Sequence, residues 1–154
     1  MKDKGTTIFS LVTVAVVLCW TFALMHGQSN WTPTFANNLA RQSEARSEGG
    51  DRAGALDASR RAAEVYRRLA RTNPMHYAPY LAASLHNLAV LLDGDGNKAG
   101  ALAAIDEAIA IRHRLAKANP VRYTGGLEQS LQRLSHIETS RSNAANKVSV
   151  VDDR

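Results

Sequence analysis

Residues Gly50 to Leu88 recur as Gly96 to Leu134 at a single gapless offset of 46 positions, with 17 of the 39 aligned pairs identical. So dense a match means that a structural unit is duplicated, and a period of this length belongs to stacked supersecondary units that cannot bury their apolar faces alone. The recurring letters are of two kinds. Gly50/Gly96 and Gly54/Gly100 precede a helical run and Asn73-Pro74/Asn119-Pro120 follow it, where proline blocks continuation of the helix. Ala55/Ala101, Leu56/Leu102, Ala62/Ala108 and Leu69/Leu115 lie within that run; Leu81/Leu127, Leu85/Leu131 and Leu88/Leu134 lie in the next. Each unit is therefore helix, turn, helix, and the expected fold is all-α with antiparallel helix pairs.

Five helices are expected. Pro33 can occupy a first helical turn, where its missing N–H is no loss, and the first helix runs to about Ser47 before Glu48-Gly49-Gly50. The second spans Asp51 to about Thr72, with Ala55, Ser59, Ala62, Tyr66 and Leu69 on one face. Tyr77 to Leu92 and Asn97 to Ala118 form the third and fourth. A fifth, about Gly126 to Ser140, sets Leu127, Leu131, Leu134 and Ile137 on one stripe and Glu128, Gln129, Gln132, Arg133 and Glu138 opposite. One dry face and one wet face suit the end cap of a stack. Residues 142–154, small and polar apart from Val148, Val150 and Val151, read as a mobile tail.

The start of the chain differs in kind. Ile8 to Met25 is an uncharged run of 18 residues, and as a helix it would rise about 27 Å, near the hydrocarbon thickness of a bilayer. It exceeds the usual signal core of about 7 to 15 residues, and Ala23-Leu24-Met25-His26-Gly27 offers no small-x-small cleavage site. An uncleaved transmembrane anchor is expected over residues 8–25, with a cleaved signal and secretion as the alternative. Lys2 and Lys4 precede the run and no Lys or Arg occurs from His26 through Ala40, so residues 1–7 stay cytoplasmic and the repeats face outward. Residues 26–32 form a linker, and residues 33–141 the repeat domain.

Leu85, Leu88 with Ala89, Leu92, Gly96, Ala101, Ile105 and Ala108 fall at the spacings of the large, small and glycine positions of the tetratricopeptide repeat. The chain from about Pro33 to Ser140 resembles that family in its longer-repeat variety, the kind found in kinesin light chains, and its second unit is the complete one. The match makes physical sense, because alanine fits where helices cross closely and leucine or isoleucine where they interdigitate. The resemblance implies a short solenoid that binds a protein or peptide in a concave groove lined by the first helix of each unit. The groove would present Asn38 and Arg41, His86 and Asn87, then Gln132, Arg133 and His136, flanked by Asn37, Ala83, Val90 and Gln129. Asn38-Leu39-Ala40 matches Asn87-Leu88-Ala89 when three extra residues are allowed before Ala55, which sets Asn38 and Asn87 at equivalent places. Asparagine carries both donor and acceptor, so such a pair would clamp an extended peptide by its backbone. Under that alignment the first helix is irregular, with Gln42, Ser43 and Arg46 at inner places. Two and a half units also leave room for a second reading, an assembly scaffold completed by another copy or another chain, or a non-catalytic subunit of an enzyme.

Chemistry within the chain itself finds little to work with. The sequence has no close-spaced histidine pair, no phosphate-cradling glycine loop and no Gly-x-Ser-x-Gly elbow; its single cysteine, Cys19, lies in the apolar run. No catalysis, cofactor or metal is expected. Asp93-Gly94-Asp95-Gly96-Asn97 resembles the opening of a calcium loop, but Lys98 stands where glycine is needed and Ala104 where the bidentate glutamate is needed. Ala55 to Thr72 carries five arginines against Asp57 and Glu64, a net +3, and reads as a solvated face laced with pairs such as Arg60 with Glu64. With no stacking aromatics among these cations, nucleic acid is not an expected partner.

Overall fold

The computed structural model describes the backbone of residues 32–152 and the side chains of residues 32–143. Within them the chain is all-α. Helix α1 spans Pro33–Glu48, α2 Arg52–Thr72, α3 Pro74–Gly94, α4 Lys98–Ala118 and α5 Pro120–Asp152. Each packs along its successor, and α3 also touches α5, so the helices run up and down as a layered stack.

Capping explains where they start and stop. Thr32, Asp51 and Asn97 use side-chain oxygens to accept from the backbone N–H three residues on, satisfying a donor that a helix start leaves orphaned. Gly50 and Gly96 both sit at φ +80, where an L side chain is strained, and so turn the chain from α1 to α2 and from α3 to α4. The other two junctions are single residues. The Asn73 N–H donates to the Leu69 carbonyl, closing α2, while its side chain accepts from the His76 N–H, opening α3; Asn119 does the same with Leu115 and Arg122. Pro74 and Pro120 therefore begin helices as well as ending them, which starts α3 and α5 earlier than Tyr77 and Gly126. Helix α5 also continues through the stretch expected as a tail. No Gly or Pro follows Gly126, so nothing local stops it.

The offset of 46 holds throughout, including α1. Glu48 and Gly94 both close a first helix, and Pro33 corresponds to Pro79. The buried residues of α1, Ala36, Leu39 and Ser43, match Ala82, Leu85 and Ala89 of α3. The three-residue insertion is thus corrected: Asn38 corresponds to Ser84, and Asn87 to Arg41. The polar intruder Ser43 is accommodated because its Oγ donates to the Ala55 carbonyl at 2.9 Å.

One core runs the length of the stack. Ala62, Ala89, Ala101 and Ala108 are at most 1% exposed and let backbones approach, while Leu85, Ile105, Ile111 and Leu115 fill the space between helices. On α5 the buried positions are Ser130 and Ile137, with Tyr123 and Leu134 partly buried against the core. Leu131, expected in the dry stripe, is 46% exposed. Its counterpart Leu85 is buried in α3, but among the described residues no further helix covers that side of α5. Three other counterparts of buried α3 residues are polar and exposed there: Glu128 for Ala82, Ser135 for Ala89 and Glu138 for Leu92.

Among the described residues no helix is long and apolar enough to cross a membrane. The apolar run at residues 8–25 lies outside them.

Candidate functional site

Two depressions adjoin on the face made by α1, α3 and α5, and His86 belongs to both. One, of about 340 Å³, is lined by His86, Gln129, Gln132, Arg133 and His136. The other, of about 310 Å³, lies between α1 and α3 and includes Glu44, Glu48, His86, Asn87 and Val90. Of the residues expected in a groove, His86, Gln132, Arg133 and His136 line the first, and His86 with Asn87 the second. Asn38 and Arg41 are exposed on α1 and line neither. The offset nevertheless places Arg41, Asn87 and Arg133 at one equivalent position of successive first helices, a row that matching Asn38 to Asn87 concealed.

Beneath His86 lies a polar cluster. Arg112, from α4, donates through Nη1 to the Gly126 carbonyl and to Ser130 Oγ at 2.7 Å, and Ser130 Oγ lies 3.2 Å from His86 Nδ1. Ser130 is fully buried. Ser130 Oγ accepts from Arg112 and still has its own hydrogen to offer a neutral His86 Nδ1, the tautomer in which Nε2 is the ring's donor. Burial holds the His86 pKa below the ordinary histidine value, and the charges of Arg112 and Arg133 push it the same way. Burial also lowers the Arg112 pKa. Among the described residues Arg112 has no carboxylate in ion-pair reach.

This cluster replaces something. Arg112 and Gly126 correspond, at the offset of 46, to Tyr66 and Tyr80, whose rings stack with centroids 5.7 Å apart. The Tyr66 hydroxyl donates to Asn37 Oδ1, so the first junction is filled by aromatic surface. At the second junction a glycine removes one ring and an arginine replaces the other, bringing a guanidinium under the groove. Its sequence neighbours His113 and Arg114 are exposed, but Arg112 is half-buried. The signal that could have found it is Ser84/Ser130, an identical serine inside an otherwise leucine and alanine stripe.

The rest of the groove rim is charged unevenly. Asp93 is ion-paired with Lys98 and lies 3.5 Å from His136 Nδ1. That pairing accounts for the calcium-like loop, and among the described residues no cluster suits a metal ion. The α1 side carries Glu44 and Glu48, whereas the α5 side carries Arg133 and His136. On the outer side of α2, Glu64 pairs with Arg67 and Arg68 rather than with Arg60. Glutamate preceding its cation by four is the better orientation on a helix, and Arg60 stands on the wrong side for it. Arg67 also forks onto Glu107 of α4, at 3.1 and 2.8 Å, tying the two units together.

No protein-family model matches the sequence, and comparison with curated proteins and with solved structures gives no match.

Proposed function

We propose that the chain is a membrane-anchored, non-catalytic interaction module of the tetratricopeptide-repeat kind, which binds an extended segment of a protein across the face of α1, α3 and α5. The observation that carries this reading is the pair of adjoining depressions that meet at His86. An extended peptide has unpaired backbone groups at every residue, and a lining of Asn87, Gln129 and Gln132 can both donate to them and accept from them. The charge arrangement sets the polarity of the ligand: an acidic stretch over Arg133 and the Arg112–Ser130–His86 cluster, and a basic stretch over Glu44 and Glu48. Anchoring rests on the uncharged run of residues 8–25.

The test starts from partners captured out of membranes with the intact chain and proceeds to titration of a peptide from the partner. Asn87→Ala should weaken binding by about 0.5 to 1.5 kcal/mol through lost hydrogen bonds. Arg133→Glu should weaken it further and reduce its salt dependence, while Leu131→Glu should leave it unchanged. Unaltered affinity for both groove variants, with loss in Leu131→Glu, would replace groove binding by assembly through the exposed end.

A further inference from the structure

The two edges of the stack differ in charge. One edge gathers the N-termini of α1, α3 and α5 and the C-termini of α2 and α4, because successive helices alternate in direction. All the chain that forms it comes from three stretches without a single Asp or Glu: Thr32 to Ser43, Val65 to Leu92 and Ala108 to Leu127. It carries Arg71, Arg114, Lys117 and Arg122, all exposed and, among the described residues, without an ion-pair partner. The opposite edge holds Glu48, Asp51, Asp93 and Asp95 beside Arg46, Arg52 and Lys98, with Asp51 paired to Arg46 and Asp93 to Lys98.

Apolar side chains stand out on the basic edge. Met75 and Val121, equivalent residues just after the two Asn-Pro junctions, are 73% and 100% exposed. Beside Met75 a recess of about 450 Å³, walled by Ala78, Leu81, Ile111 and Leu115, opens next to Arg114. Isolated cations over water, with apolar tips between them, form a surface suited to lipid headgroups and the acyl boundary beneath. The chain's own connectivity selects that partner over a soluble polyanion. Thr32, the first described residue, opens α1 on this edge, and only residues 26–31 separate it from the apolar run. Six residues reach at most roughly 20 Å, so a run lodged in a bilayer holds this edge, and not the acidic one, against the membrane surface.

We infer that the edge bearing Arg71, Met75, Arg114, Lys117, Val121 and Arg122 docks on an anionic lipid surface, leaving the opposite edge and the α1–α3–α5 face directed away from it. The connectivity argument rests on the anchoring proposed above; the charge and apolar arguments do not. Each basic residue that reaches an anionic surface favours contact by roughly fivefold.

The full chain with Cys19→Ser, labelled with a fluorophore at Met75→Cys or at Asp95→Cys, is mixed with vesicles of phosphatidylcholine alone or with phosphatidylglycerol, each containing brominated acyl chains. The label at position 75 should be quenched in the anionic vesicles and released by about 0.5 M salt, and the label at position 95 should be quenched in neither. The exposed triple change Arg71→Glu, Arg114→Glu and Lys117→Glu should return position 75 to its signal in zwitterionic vesicles. Equal quenching at both positions, or at position 75 with and without anionic lipid, overturns the docking; so does no quenching at all. Flotation with zwitterionic vesicles reads the apolar run separately. A chain that does not float there, yet floats and is quenched with anionic vesicles, removes the anchor and keeps the edge.

Discussion

Ser130 joins groups that would otherwise conflict. It gives the half-buried Arg112 an acceptor and a neutral His86 a donor. A folded-state pKa lowered below 6.5 means that the unfolded chain takes up the proton first as pH falls. The sign follows: the contribution of neutral His86 to stability is complete above the unfolded value and is lost as pH falls through the lowered one. Melting temperature should therefore drop as the pH is taken from neutral to about 5, and His86→Gln should flatten that dependence. A wild-type profile no steeper than that of His86→Gln would remove His86 from the account. The same cluster shows where side-chain chemistry escaped sequence reading. His86, Gln132, Arg133 and His136 were legible because they lie on the first helices, where a groove was expected. Arg112 was not, because a cation followed by His113 and Arg114 looks solvated until its glycine neighbour across the junction is known.

Element boundaries were legible wherever a cap carried them. Asp51 and Asn97, the turn glycines and the Asn-Pro pairs all mark real ends, and α2 and α4 match their expected spans to within about a residue. What misled was the Asn-Leu-Ala match, since small residues recur often enough in alanine-rich helices to align in more than one register. Counting back from the glycine turn gives the register of α1 instead, because Gly50 and Gly96, both at φ +80, each lie two residues past the last residue of a first helix. Gly125 makes a testable case for the early start of α5. It lies inside the helix with open space where a side chain would be added, so Gly125→Ala should stabilise the fold by about 0.5 to 1 kcal/mol in chemical denaturation. Destabilisation would place residues 120–125 outside a helix. The helix crossings respond in the other direction. Ala108 is fully buried where α4 meets its neighbours, and Ala108→Phe should lose about 1 to 3 kcal/mol by overpacking, read as a lower denaturation midpoint.

At the scale of the molecule the question is how so short a stack ends. Fully buried Ile137 is engaged in the chain's own core, so it is not part of a free apolar face that another chain could complete, while Leu127 is half-buried. The side of α5 left open instead carries Glu128, Ser135 and Glu138 where α3 has buried Ala82, Ala89 and Leu92. Those substitutions make docking of a further helix costly, because each carboxylate would have to leave water unpaired. Leu131 alone keeps the repeat's apolar letter on that side, and one exposed leucine among polar residues is ordinary surface. The two leucine and isoleucine positions should accordingly separate under the same substitution. Leu131→Glu should change stability by no more than about 0.5 kcal/mol, as at an exposed site, while Ile137→Glu should unfold α5 from α4 or prevent folding, because it buries an unpaired charge. Circular dichroism melts report that contrast, and analytical ultracentrifugation in detergent reports its second half. An assembly held by the open end would dissociate in Leu131→Glu, whereas a stack capped by its own polar residues keeps the same mass with or without the change.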